Sequence, residues 1–282
     1  MTIGLVLSGG GVAGIAWELG VLRGIAEAAP ELAGALLAAD VIVGTSAGAA
    51  VAAQIVSGTP LGELYDAQLR AETAEIEVDL DVEVLWQRLA AAVGGATEPQ
   101  EVRRRIGAVA LAADTIEEAP RRVAVAARVP VDAWPDRRLL IVTVDAASGE
   151  TVVFDRDSGV SLVDAVTASC AVPGVWPPAT IGDRRFVDGG VRSGTNADLV
   201  LGCDVVVVVA PVLPDEPVPW GSLDDEVARL KPARVHVVWA DQASRDAFGT
   251  NPLSPDTRAA SARAGFAVGL QQAAWIGDLL QP

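Results

Sequence analysis

The sequence is nearly without lysine, histidine and cysteine. Its 282 residues hold one lysine (Lys231), one histidine (His236) and two cysteines (Cys170 and Cys203). One imidazole excludes every metal site that needs two, and two cysteines cannot build a disulfide framework or a zinc cluster, so no metal is expected. Basic charge is also scarce: 21 Lys+Arg face 37 Asp+Glu, a formal net charge of −16. That balance argues against a nucleic-acid binder, which needs clustered cations to neutralise phosphates. It also disfavours simple electrostatic docking on anionic membranes. No long apolar run is present. The longest uncharged stretch near the front, residues 41–62, has ten Gly, Ser, Thr, Gln or Pro among its 22 positions, a poor composition for a membrane span. No basic region precedes the first apolar run, so no secretory leader is expected. These absences lead us to expect a soluble, cytoplasmic protein.

What is present is apolar surface. Hydrophobic residues make up 51% of the chain, ample for the buried core of one large domain spanning residues 1–282. The front of the chain alternates strand and helix. Residues 3–7 form a short apolar run fit for a buried strand, Ser8-Gly9-Gly10-Gly11 breaks it, and a helical pattern follows over 12–28. Residues 41–43 repeat the strand, 44–48 the turn, and 49–56 the helix. Two strand–turn–helix units predict parallel strands under helices.

Residues 61–135 differ and read as a mostly helical cap or insertion, with a helix over 101–119. Within it Glu75, Glu77, Asp79, Asp81 and Glu83 alternate with Ile76, Val78, Leu80, Val82 and Val84. Period two gives one apolar and one acidic side. The pattern is read as an extended segment with a solvated acidic face, against the alternative of a calcium site built from carboxylates. The α/β rhythm then returns. Strands are expected at 139–144 and 151–154, a helix at 161–169, a strand leading into Asp188, a central all-valine strand at 204–210, a strand at 234–240, and a terminal helix over 256–280 with one face of small residues.

Two glycine-rich turns carry the chemistry. Gly9-Gly10-Gly11-Val12-Ala13-Gly14 fits the G-x-G-x-x-G dinucleotide fingerprint. A nucleotide site would also want an acid at the far end of the second strand, whereas Asp40 stands at its start. The second turn, Gly44-Thr45-Ser46-Ala47-Gly48, is G-x-S-x-G between a strand and a helix. Its glycines permit a turn so sharp that the Ser46 hydroxyl stands clear of the sheet edge. Gly9, Gly10 and Gly11, at a helix N-terminus, then offer N–H donors for a developing oxyanion. Two residues compete as the base for Ser46. His236 would complete a Ser46–Asp188–His236 triad, although it lies in the body of an expected strand where a core role fits. Asp188, in Asp188-Gly189-Gly190, would act alone if burial raised its pKa.

These residues resemble the patatin-like phospholipase family. Four features match in order: the 9–14 glycine turn, the 44–48 turn, Ala168-Ser169-Cys170-Ala171-Val172-Pro173 with Trp176-Pro177-Pro178, and Asp188-Gly189-Gly190. The resemblance implies a three-layer α/β/α fold with a mostly parallel central sheet. It implies a catalytic dyad of Ser46 as nucleophile and Asp188 as general base, and an oxyanion hole from Gly9, Gly10 and Gly11. Gly14, Gly44, Gly48, Gly189 and Gly190 complete the motifs. The implied reaction is hydrolysis of lipid acyl esters without a cofactor, with transient contact at a membrane surface. One position departs: many relatives carry Lys or Arg where this chain has Ala13, which bears on the preference for phospholipid.

Overall fold

The computed structural model describes residues 1–214 and 222–280. Its strands are β1 (Ile3–Leu7), β2 (Val41–Gly44), β3 (Arg138–Asp145), β4 (Thr151–Phe154), β5 (Ala179–Ile181), β6 (Arg184–Asp188), β7 (Val205–Ala210) and β8 (Arg234–Trp239). The helices of the first half are α1 (Gly11–Ala28), α2 (Pro30–Leu37), α3 (Ala47–Val56), α4 (Leu61–Leu69), α5 (Val82–Val93), α6 (Pro99–Ala112) and α7 (Glu118–Ala126). Those of the second are α8 (Leu162–Ser169), α9 (Leu223–Arg229), α10 (Gln242–Phe248) and α11 (Arg258–Leu280).

The strands form one eight-stranded sheet in the order β5-β6-β3-β2-β1-β7-β8, with β4 also on β3. The β3-β2-β1-β7-β8 ladder is parallel throughout, and β4, β5 and β6 join it antiparallel. Alternation along the strands divides the core. Leu5, Leu7, Ile42, Ile141, Val207 and Val209 face the layer of α1, α3, α8 and α11, whereas Val6, Val43, Val142, Val206 and Val208 face Ala197, Val200 and Leu230. Apolar contact on both faces explains the unbroken valine run of β7, since no side of it meets water. Contrary to expectation that strand is not central; it lies next to the β8 edge. The mixed α/β architecture, a mostly parallel sheet flanked by helices, is the expected one.

Two pairing details position the functional residues. Along β3, Ile141 pairs with both Gly44 of β2 and Phe154 of β4, and Thr143 pairs with both Val152 of β4 and Asp188 of β6. A strand has two edges, so β2 and β6 share the edge of β3 that β4 leaves free. They run toward each other, and their C-terminal ends meet around Val142. The second detail is the contact of α1 with α11. A Cβ at Gly20 or Gly24 would lie 2.2 Å from the carbonyl oxygens of Ala262 and Phe266, and one at Gly265 or Gly269 would lie 2.1 Å from those of Trp17 and Val21. The small-residue face of the terminal helix thus lets the two backbones touch, and it seats the helix whose N-terminus is the first glycine turn.

The stretch read as one helix over 101–119 is two, broken at residues 113–117. Pro120 falls in the first turn of α7, where its missing N–H removes no bond. Residues 71–81 form no regular element but cross the molecule as a strap. Ile76, Val78 and Leu80 pack on Val175, Trp176 and Leu253, as their period-two spacing requires. The acidic side is only partly solvated. Glu75 is buried against Arg128, Glu77 accepts from Ser254 Oγ (3.1 Å), and Asp81 caps α5 by accepting from Val84 N–H (3.0 Å). The carboxylates turn to separate partners, and among the described residues no three acids, histidines or cysteines gather as a metal site. No described helix is long and apolar enough to cross a membrane.

Candidate active site

Ser46 sits between β2 and α3 with φ 53° and ψ −113°, a backbone region that side chains other than glycine avoid and that stores roughly 1–3 kcal/mol of strain. Several tight contacts hold it there. A Cβ at Gly48 would lie 2.0 Å from the Leu7 carbonyl oxygen, so only glycine lets α3 start that close to β1. Gly48 N–H donates to Ser8 O (2.9 Å) and Thr45 N–H to Leu7 O (3.0 Å). Ser46 N–H donates to Ser169 Oγ (3.0 Å), which donates onward to Val142 O (2.7 Å), and Cys170 Sγ donates to Ser46 O (3.2 Å). Ser169 and Cys170 belong to the 168–173 motif, whose role the sequence did not reveal: they clamp the turn from the neighbouring helix.

Asp188 ends β6 on the same stretch of β3. Its N–H donates to Ala171 O (3.0 Å), and its Oδ1 accepts from Gly190 N–H (2.7 Å). Gly189 passes Val142 so closely that a Cβ would lie 2.4 Å from its oxygen. Both Ser46 and Asp188 are buried, at 7% and 5% exposure. Burial lifts the Asp188 carboxyl to about 6, against a pull downward from the hydrogen bond with the Ser46 hydroxyl, from the Gly190 N–H and from the Arg121 charge. The carboxylate is therefore a stronger base than a free aspartate and remains ionised at neutral pH.

The first glycine turn lies beside this pair. Gly11 has φ +67°, and Gly9 approaches Ser46. The three glycines differ in what their amides do. Gly9 N–H donates to Gly194 O (2.8 Å). Among the described residues the N–H groups of Gly10 and Gly11 have no such acceptor, and they stand at the start of α1, where the helix dipole favours negative charge. Behind the turn, Ser8 N–H donates to Glu18 Oε1 (2.7 Å), and burial pushes the Glu18 carboxyl well up.

The cavity at Ser46 is lined by Gly11, Val12, Ile15, Ala47, Cys170, Trp176 and Leu253, together with Arg121 and Arg128. It encloses about 10 Å³, room for about one water. The strap packs on two of the cavity's lining residues, Trp176 and Leu253. Arg128 Nε donates to Glu75 Oε1 (2.7 Å) and its Nη2 to Glu75 Oε2. Burial alone would raise the Glu75 carboxyl, but the paired guanidinium outweighs it and holds the carboxyl below its usual range. No motif announced these two arginines.

Two alternatives from the sequence fall on geometry. His236 Nε2 meets Gln272 Oε1 at 2.9 Å on β8. The strands β1 and β7 separate β8 from β2, about 14 Å at the usual strand spacing, so His236 cannot join a triad with Ser46. Asp40 Oδ2 accepts from Ile3 N–H (2.7 Å) at the amino end of β1, the wrong end of the sheet to hold a ribose beside the glycine turn.

A strained serine turn and a buried aspartate at the carboxyl edge of a parallel sheet, beside a glycine-opened helix, define an α/β protein of nucleophile-elbow geometry. A family model for patatin-like phospholipase matches residues 5–201. The chain belongs to the patatin-like phospholipase family. Among solved structures, VipD from Legionella pneumophila is similar over 97% of this chain and 67% of its own, at 13% identity and a TM-score of 0.47. The type III effector protein ExoU is similar over 99% of this chain, at 16% identity and a TM-score of 0.41, and the match spans 54% of ExoU's length.

Proposed function

We propose that the protein is a lipid acyl hydrolase of the lipase or phospholipase A type, acting through a Ser46–Asp188 dyad. Family membership supports ester hydrolysis. The dyad reading is carried by one arrangement: β2 and β6 end on the same stretch of β3, which brings the strained Ser46 beside the buried Asp188, whose carboxyl burial lifts to about 6 with the Ser46 hydroxyl among the groups acting on it. Asp188 takes the Ser46 proton as the oxygen attacks the ester carbonyl. The tetrahedral oxyanion is held by the Gly10 and Gly11 amides and by Ala47 N–H at the start of α3. The alcohol leaves with that proton, and water then attacks the acyl-enzyme with Asp188 again as base. The reaction needs no cofactor or metal. Helices α4–α7 and the strap act as a cap that shifts to admit the acyl chain, and contact with a lipid surface is transient.

A fluorophosphonate probe tests the nucleophile. It should label Ser46, and Ser46→Ala should lose both labelling and ester hydrolysis with an unchanged circular dichroism spectrum. Turnover that survives in folded Ser46→Ala means another residue attacks.

A further inference from the structure

Among the described residues, two buried N–H groups at the cavity have no acceptor. Arg121, on α7, is 4% exposed, and its Nη1 has no hydrogen-bond partner. Trp176 is 3% exposed, and its indole Nε1 is equally unpartnered. Both residues line the cavity that holds Ser46. The guanidinium lies 3.9 Å from the Trp176 ring centroid, and this stacking fixes its plane. The neighbouring Arg128 is already matched by both oxygens of Glu75. Asp188, the other acid nearby, feels the Arg121 charge, but it accepts from Gly190 N–H and makes no salt bridge with Arg121 among the described residues.

A buried donor without an acceptor is destabilising, and a buried cation without an anion more so. Two such donors on stacked side chains, beside the serine, persist at a functional site when a ligand supplies the missing acceptor. Guanidinium presents a planar fork of donors suited to phosphate or carboxylate oxygens. We propose that Arg121 and the Trp176 indole N–H bind an oxyanion of the substrate, so that the preferred ester carries a phosphate or carboxylate group close to the scissile bond. This inference rests on the hydrolase reading above.

Three octanoyl esters test it: 1-octanoylglycerol, 1-octanoylglycerol 3-phosphate and octanoyl glycolate. They share an acyl chain and differ in the leaving group, which is neutral, phosphate-bearing or carboxylate-bearing. In the wild-type protein kcat/KM for at least one anionic ester should exceed that of the neutral ester by tenfold or more, and the favoured one identifies the anion. Arg121→Gln should reduce that ratio at least tenfold, chiefly through KM, and Arg121→Lys should restore part of it. Trp176→Phe keeps the stacking surface and deletes only the N–H, so it should reduce the ratio by a smaller factor even if Arg121→Gln folds poorly. A wild-type ratio near one overturns the proposal, as does a ratio unmoved in both Arg121→Gln and Trp176→Phe. The hydrolase reading fails separately, through absent turnover of all three esters and absent fluorophosphonate labelling of Ser46.

Discussion

Burial of Asp188 has two consequences that one substitution separates. The native carboxyl keeps its proton up to about pH 6, against 3.8 as its ordinary value. Between those values the native state binds more protons than the unfolded chain, so stability falls as pH rises, and the full loss is present above 6. A difference of about two pKa units corresponds to about 3 kcal/mol. With Asp188 as the proposed base, activity runs the opposite way, because that base must be ionised: kcat/KM should rise about tenfold per pH unit below 6 and level off above it. Asp188→Asn should abolish ester hydrolysis by several orders of magnitude and raise the melting temperature at pH 7.5 by a few degrees, with the gain shrinking toward pH 4. Calorimetry at the two pH values checks the second half; equal melting temperatures at pH 7.5 would mean the carboxylate is not strained by burial. His236 supplies the contrast. It pairs with Gln272 across the sheet from Ser46, so His236→Gln should change kcat/KM by less than about tenfold, the scale of a modest packing loss. A collapse of activity in the folded variant would restore the histidine to the mechanism.

Among the elements, the strap of residues 71–81 is the one that packs on the outer lining of the site. Its apolar side chains cover Trp176 and Leu253, and its single buried charge, Glu75, is tied to Arg128. Glu75→Gln leaves Arg128 buried without a countercharge, a change that destabilises typical buried pairs by about 3–5 kcal/mol. Cleavage within the strap under limited proteolysis should therefore speed up well before global unfolding, and unchanged cleavage would show that the ion pair does not latch the segment. The strap also marks where the sequence is legible. Period two revealed which side chains face inward, because alternation is a property of extended backbone wherever it runs. It did not reveal that Glu75 leaves the acidic side, because that depends on Arg128, far along the chain. The elbow at Ser46 was readable for the opposite reason: the turn itself demands glycine, since a Cβ at Gly44 would lie 2.6 Å from Ala49 Cα. The valine run of β7 disclosed that both faces are covered, which is not the same as being central. Arg121 was invisible, since an arginine on a charged helix gives no sign that its far end is buried.

At the scale of the whole molecule the charge pattern is divided against itself. The chain carries a net charge of −16, yet the cavity at Ser46 is lined by two guanidinium groups, of which, among the described residues, only Arg128 makes a salt bridge. On the proposed anion preference, an anionic ester is repelled at a distance by the net charge and attracted only at the cavity. Added salt screens the distant repulsion, with a Debye length of about 10 Å at 0.1 M, and acts weakly on buried groups. Raising ionic strength from 20 to 200 mM should thus increase kcat/KM for an anionic ester more than for its neutral counterpart; a decrease would place the controlling charges at the surface. The meeting of β2 and β6 on one edge of β3 reaches furthest. Ser46 arrives with the first part of the chain and Asp188 with the second, from opposite directions, and they meet only once β2 and β6 have both paired along one edge of β3. Pairing so distant in sequence is slow to form. Helices and local turns can be complete before the two residues meet, so on the dyad reading a half-made chain emerging from synthesis carries its serine without the proposed base beside it.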